Sequence, residues 1–262
     1  MTLMIAAVRK AARGVQRDFG EVTNLQISVK GPGDFVTNAD KKAEKTLREE
    51  LLKARPAYGI LGEEEAELKG TDPDHKFIID PIDGTFNFMH ALPYFAITIA
   101  LERKGEIVAG VTYNPITDEL FHAVKGSGAF VNNKRMRVAG RRELADCMVS
   151  TGLPNRGNKD HAERRAELIL MQLRTSGIRA LGSTALDMCY VAMGRLDGAW
   201  HANLKPWDMA AGVLMIREAG GFVHGLNGEA NPLYTGGYIA SNADLLPQIK
   251  TALAEAKKLA VS

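Results

Sequence analysis

The stretch Phe77-Ile78-Ile79-Asp80-Pro81-Ile82-Asp83-Gly84-Thr85 constrains this chain more than any other. Phe77-Ile78-Ile79 is a short apolar run that reads as a buried strand, and it ends in a carboxylate. A second carboxylate follows three residues later, then glycine, a hydroxyl residue and the start of a short helix. Two acids at a strand end favour a hard cation. The helix N-terminus behind them leaves backbone N–H groups free to meet an anion. Cation and anion in one place predict a metal-assisted phosphate site.

The rest of the chain is placed around that stretch. Met4, Val8, Ala11, Val15 and Phe19 recur at helical spacing and predict an amphipathic helix over residues 2 to 19. A second helix opens at Thr37-Asn38-Ala39-Asp40, with Ala43, Leu47 and Leu51 inward and its lysines and glutamates elsewhere. Thr37 with an acid three residues on is a capping box, which accounts for Asp40 without any catalysis. Tyr58 to Leu61 is a short strand running into Gly62-Glu63-Glu64-Glu65, so Glu63 can be directed at a strand-end site. Segments 94–101, 107–113 and 119–124 read as strands, and Asn114-Pro115 and Gly126-Ser127-Gly128 as the turns between them, which predicts antiparallel hairpins. Beyond residue 145 the pattern changes. Strands are expected at 146–151, 198–200 and 238–240, and helices at 160–174, 183–193, 207–219 and 244–259. The expectation is a mixed α+β lobe over 1–144 and an α/β lobe over 145–262.

Composition excludes several classes. Apolar residues make up 45% and charged residues 24%, as in an ordinary globular protein. A net charge of +2 gives no global reason for nucleic-acid or membrane binding. No apolar run approaches the ~20 residues a bilayer span needs. Arg9 and Lys10 interrupt the N-terminal segment, which lacks the layout of a signal peptide. Cys147 and Cys189 are too few for a disulfide framework, so reduced thiols and a cytoplasmic protein are expected. The one basic cluster, Lys134 to Arg142, has no interleaved aromatics and reads as a solvated hairpin rim before it reads as a nucleic-acid patch.

Glu63, Asp80, the Ile82 carbonyl and Asp83 are all oxygen donors, which selects Mg²⁺, Mn²⁺ or Ca²⁺ over zinc. Asp208, in the first turn of the helix after Pro206-Trp207, is a further carboxylate for a two-ion site. It is equally an acid stabilising the helix dipole, worth ~0.3–1 kcal/mol. Divalent ions bridged by such acids clamp a phosphate and lower the pKa of a water. The Gly84 and Thr85 amides would hold its free oxygens. No serine or cysteine with a partner base is evident, so the attacking group is expected to be water.

Gly62-Glu63-Glu64, Asp80 through Phe88 and Trp207-Asp208-Met209-Ala210-Ala211-Gly212 resemble, in order and spacing, the three signature motifs of the inositol monophosphatase family. Asp34 through Asp40 and Glu218-Ala219-Gly220-Gly221 extend the resemblance over nearly the whole chain. The resemblance implies a layered α/β/α/β/α sandwich, a homodimer, and lithium-sensitive hydrolysis of a small phosphomonoester with two or three Mg²⁺ ions. By motif position, Glu63, Asp80, Ile82, Asp83 and Asp208 would be metal ligands, Glu63 serving catalysis as well. Asp40 would orient the Thr85 hydroxyl toward the attacking water. Lys30 would belong to a loop near the site, and the turn containing Ser183 and Thr184 would line the sugar pocket.

One residue departs from the pattern. Seven positions before Asp208 the family usually has a glutamate that accepts hydrogen bonds from inositol; here it is His201. An imidazole can donate as well as accept. Inositol 1-phosphate is the default substrate, and His201 brings bisphosphates, histidinol phosphate and nucleotide 3′-phosphates into consideration, with Lys205 and Arg179 as sources of extra charge. A histidine that merely packs at the rim or a dimer contact is the other reading. Some bacterial members of the family act as partners of RNA polymerase elongation factors, and a contact with transcription factors or RNA would fall to the Lys134–Arg142 cluster.

Overall fold

The computed structural model describes residues 1–21, 27–31, 34–154 and 161–261. Its elements, in chain order, are α1 (Thr2–Gly20), β1 (Ile27–Gly31), β2 (Asp34–Thr37), α2 (Asn38–Ala54), β3 (Gly59–Gly62), β4 (His75–Asp83), α3 (Thr85–Met89), β5 (Ala96–Arg103), β6 (Glu106–Asn114), β7 (Glu119–Val124), β8 (Gly128–Val131) and β9 (Lys134–Arg135). A 3₁₀ turn at Leu144–Asp146 leads into β10 (Met148–Thr151), α4 (His161–Arg174), β11 (Gly177–Arg179), α5 (Thr184–Ala192), β12 (Gly198–Ala202), α6 (Pro206–Glu218), β13 (Phe222–His224), β14 (Gly237–Ser241) and α7 (Leu245–Val261).

Strands β3 to β9 form one sheet in sequence order, antiparallel except for the parallel β3–β4 pair. A second sheet runs β11-β10-β12-β14-β13. Strand alternation decides which layer each side chain enters. On β4, Phe77 and Ile79 pack with Leu47, Ala43 and Val8 of the α1–α2 layer. Ile78 turns the other way, into a cluster with Leu186, Met188, Met209 and Met215 of α5 and α6. On the second sheet, Ala199 and Tyr238 join that same central cluster, while Trp200 and Ile239 face Met171, Ile249 and Leu253 of α4 and α7. The order of layers is therefore α1–α2, seven-stranded sheet, α5–α6, five-stranded sheet, α4–α7. This is the α/β/α/β/α sandwich that the motifs imply.

Helix α6 is buried at every residue from Met209 to Ile216, as a helix between two sheets must be. Its contacts with the first sheet join the stretch after residue 145 to the stretch before it, so the two sheets share the α5–α6 layer. Small departures from the expected elements have local causes. The strand expected from Tyr94 opens at Ala96, because the Tyr94 carbonyl accepts the Asn87 side-chain amide at 2.7 Å. The strand expected from Asp146 opens at Met148, after the 3₁₀ turn. Glu44, expected on the outer face of α2, is fully buried. No helix among the described residues is long and apolar enough to cross a membrane.

Candidate active site

The carboxylates meet in space because β4 is bulged. Asp80 pairs with Thr98 and Asp83 with Ala96, so three steps on β4 oppose two on β5. Pro81, which has no N–H to give to a ladder, lies inside the bulge. The extra residue resets the alternation: Ile82 joins the α1–α2 cluster, and Asp83 turns to the α5 side. Without it, two acids three apart would point to opposite faces.

Asp80, Asp83 and Asp208 each offer a carboxylate oxygen, and these oxygens lie within 4.8 Å of one another. None of the three forms an ion pair with a lysine or arginine among the described residues. Asp80 accepts the Ile82 amide at 3.0 Å. Asp83 Oδ2 accepts the Ser183 hydroxyl and the Ala185 amide, the latter at 2.9 Å. Asp208 Oδ2 accepts the Lys205 amide at 2.7 Å. The protons on these acids are held tightly. Burial, then the charges of Glu63, Asp83, Asp208 and Asp40, push Asp80 well above the usual carboxylate range. Burial, then Asp83, does the same to Asp208 against the pull of the Lys205 amide. Burial pushes Asp83 up to about 6, opposed by Ser183 and Ala185. A hard divalent cation is the partner that oxygen donors crowded in this way fit.

Glu63 follows β3, and its charge is felt at both Asp80 and Asp208. The loop that carries it is fixed from below. The buried Glu44 accepts the Glu64 and Glu65 amides at 2.8 and 3.0 Å and Arg48 Nε at 2.9 Å. Arg48 in turn donates to the Glu65 and Ala66 carbonyls. Sequence reading missed Glu44, which an outward-facing acid on an amphipathic helix resembles.

Asp40 and Thr85 come together across 45 residues of chain, Thr85 Oγ1 lying 3.1 Å from Asp40 Oδ1. The same hydroxyl is 3.0 Å from the Ile82 carbonyl. Thr37 caps α2 as its sequence predicts, its amide donating to Asp40 Oδ2 at 2.8 Å and its hydroxyl accepting the Ala39 amide at 3.1 Å. Asp40 thus serves the cap with one oxygen and Thr85 with the other. Burial raises its pKa against the hydrogen bonds from Thr37 and Thr85. Gly84 adopts a left-handed φ of 98° ahead of α3, a conformation that a side chain would strain, and the first-turn amides of α3 have no intrahelical acceptor.

The remaining candidates divide. Ser183 is buried, caps α5 and spends its hydroxyl on Asp83, whereas Thr184 is half-buried in the first turn of α5. His201 is buried on β12, with Nε2 3.1 Å from Asp187 Oδ2, so it is neither on the rim nor on an exposed contact face. Asp187 and Tyr94, whose hydroxyl is 2.8 Å from Asp187 Oδ1, were not anticipated. An acid in the first turn of a helix and a tyrosine before a strand carry no signal of their own. The Lys30 side chain lies outside the described residues. In the basic cluster, Arg141 is tied to Asp197 at 2.9 Å and Arg142 to Asp244 at 3.4 Å. Lys134, Arg135 and Arg137 are exposed and form no ion pair among the described residues.

Comparison with known proteins bears on this geometry. The model of the inositol monophosphatase family matches residues 1–259. An inositol-1-monophosphatase of Caulobacter vibrioides is 55% identical over 249 residues, covering 94% of this chain and 97% of its own. The Nus factor SuhB of Escherichia coli strain K12 is 40% identical over 92% of this chain and 91% of its own. Among solved structures, extragenic suppressor protein suhB of Bartonella henselae superposes with a TM-score of 0.94 at 52% identity, over 97% of both chains.

Proposed function

The chain belongs to the inositol monophosphatase family, and from that premise we propose that it hydrolyses a small polyol monophosphate, inositol 1-phosphate by default, with Mg²⁺. The observation that carries this reading is the trio Asp80, Asp83 and Asp208, buried or half-buried, crowded within 4.8 Å and in no ion pair with a lysine or arginine among the described residues. A binding protein would gain nothing from the repulsion and desolvation that such crowding costs.

Glu63, Asp80, the Ile82 carbonyl, Asp83 and Asp208 would hold two or three Mg²⁺ ions. When bound, the ions supply charge that screens the phosphate and lowers the pKa of a water. The chain's own groups do the rest. The amides opening α3, at Gly84 and Thr85, take non-bridging phosphate oxygens. Thr85 has one hydroxyl proton and two acceptors within reach, Asp40 Oδ1 and the Ile82 carbonyl. Once the carbonyl is engaged elsewhere the proton turns to Asp40. The Thr85 oxygen then accepts a proton from the attacking water as its own passes to Asp40, whose burial favours taking it. Ser183 is a positioning residue that sets the rotamer of Asp83.

Phosphate release from inositol 1-phosphate, fructose 1,6-bisphosphate, histidinol phosphate and adenosine 3′,5′-bisphosphate, with Mg²⁺ and with chelator, tests the reading. Mg²⁺-dependent, lithium-inhibited turnover is expected; no release from any of them would overturn it. Free, buried Cys147 and Cys189 suit work in the reducing cytoplasm, and a homodimer is the expected assembly. A second role, in transcription, is favoured by the likeness to the Escherichia coli Nus factor and by Lys134, Arg135 and Arg137, which are exposed and form no ion pair among the described residues. Reversing those three charges should abolish capture of elongation factors or RNA and spare hydrolysis.

A further inference from the structure

Asn87 lies four residues beyond Asp83 and bonds to none of the acids, yet its side chain ties three segments of the site together. It is buried in α3, and its backbone carbonyl is fixed by the His90 and Leu92 amides at 3.1 and 2.9 Å. Its side-chain Nδ2 donates to the Tyr94 carbonyl and to the Leu181 carbonyl, each at 2.7 Å. An amide nitrogen carries two protons, which is what a pair of buried carbonyls requires.

Leu181 begins the turn that delivers α5, and there backbone meets backbone. Gly84 and Gly182 both take a left-handed φ, 98° and 87°. A Cβ on Gly182 would stand 2.8 Å from Asn87 Nδ2, and one on Gly84 3.0 Å from the Gly182 carbonyl oxygen, so glycines suit this approach best. Two residues past Leu181, Ser183 gives its hydroxyl to Asp83 Oδ2, and the Ala185 amide reaches the same oxygen at 2.9 Å. The bonds close a ring. It runs from Asp83 to Ser183, back to Leu181, across to Asn87 and along the chain to Asp83 again. Asp83 Oδ1 accepts no hydrogen bond among the described residues.

We infer that Asn87 is the positioning residue that aims Asp83. By anchoring the Leu181 carbonyl it holds Ser183 and Ala185 against Oδ2, and so keeps the other oxygen free for a divalent cation shared with Asp80 and Asp208. The inference rests on the phosphatase reading, which supplies the cation. Asn87 acts through the turn and touches neither ion nor substrate. With the turn unanchored, Asp83 loses the two donors that fix its rotamer, and changes in such outer partners lower metal affinity by ~10–100-fold.

Asn242 provides a matched control. It too is buried and donates from Nδ2 to two carbonyls, those of Ala139 and Arg141, each at 2.8 Å. None of its partners bonds to Asp80, Asp83 or Asp208. Asn87→Ala and Asn242→Ala are compared with the unaltered full chain by urea unfolding, by calorimetric titration with Mg²⁺ and by amide hydrogen exchange in chelator. Both should lose stability. Only Asn87→Ala should lose protection at the Ala185 amide and bind Mg²⁺ about tenfold more weakly. Retained protection at Ala185, Mg²⁺ affinity within about twofold of the unaltered chain, or an equal weakening in both variants would overturn the inference. Where Asn87→Ala does not fold, native-state exchange of the unaltered chain decides. The Asn87 side-chain amide and the Ala185 amide should open in one step as urea rises, and Ala185 opening while Asn87 stays protected defeats the inference. An unaltered chain that binds no Mg²⁺ and hydrolyses no ester takes down the phosphatase reading and the inference with it. A chain that does both, while Asn87→Ala binds Mg²⁺ normally, loses the inference alone.

Discussion

Asp83→Asn should make the metal-free protein more stable while abolishing its activity. Burial lifts the Asp83 pKa from an ordinary 3.8 to about 6. A group whose folded pKa is raised destabilises the fold when ionised, so the penalty is absent below the unfolded value, grows between the two and is complete above the folded one. At pH 7.5 a shift of this size costs about 3 kcal/mol. Asparagine removes the charge and can keep its carbonyl on the Ser183 hydroxyl and the Ala185 amide, whose support of the carboxylate is already contained in that shift. The gain of roughly 3 kcal/mol should raise Tm by about 6 to 12 °C in chelator at pH 7.5, on a scale of ~2–4 °C per kcal/mol for a domain near this size. At pH 4.5 the natural carboxyl is largely protonated and the difference should shrink toward zero. Calorimetry at both pH values, with and without Mg²⁺, makes the measurement, and Mg²⁺ should stabilise the natural protein far more than the variant. A variant that melts several degrees lower at pH 7.5 without metal, and is still stabilised normally by Mg²⁺, would refute the idea that the acids repel one another in wait for a cation.

Two further changes separate chemistry from scaffolding. Thr85→Ala should lower kcat by ~10²-fold or more with a small effect on KM, because the relay between water and Asp40 is cut. Thr85→Ser should recover most of it, and pre-steady-state kinetics distinguishes this from slow product release. Glu44→Ala should cost about 3 kcal/mol or more by urea unfolding, since it leaves Arg48 buried beside an empty place and two loop amides unpaired. The same change should weaken Mg²⁺ binding in calorimetric titration, because Glu63 rides on that loop.

Legibility in the sequence followed the range of the interaction. Helices α1 and α2 announce themselves by spacing and strand β4 by its apolar run, and the Thr37–Asp40 cap is written within four residues. The candidate ligands stand next to apolar strands or in a helix's first turn, so their positions could be read before their contacts. The bulge that brings Asp80 and Asp83 onto one side could not. It depends on the register of β4 against β5, and Pro81 is only a hint of it. Ser183 was read as a pocket residue because its turn fits a motif, and only the packing of α5 against β4 shows that its hydroxyl is spent on Asp83. Asp187 stayed hidden because its partners, Tyr94 and His201, are 93 and 14 residues away on different layers.

That distribution has a physical reason. Asp40 and Asp208 each lie at the third position of a helix and accept the amide of the residue before it, and Asp83 accepts an amide in the first turn of α5. Each acid therefore spends one oxygen on a helix N-terminus, where the dipole favours negative charge by ~0.3–1 kcal/mol and more when partly buried. The converging N-termini are what let so many carboxylates share one site before any cation arrives, and they leave Asp83 and Asp208 one oxygen each to offer, while Asp40 gives its other oxygen to Thr85. This predicts an order of sensitivity. Shortening Asp208 or Asp83 to alanine removes a ligand and a cap together, and should destabilise even the metal-free protein. Changing either to asparagine removes the ligand charge and keeps the cap. If the alanine and asparagine variants melt alike in chelator, the caps carry no weight and the acids are held by the strand and loop backbone alone.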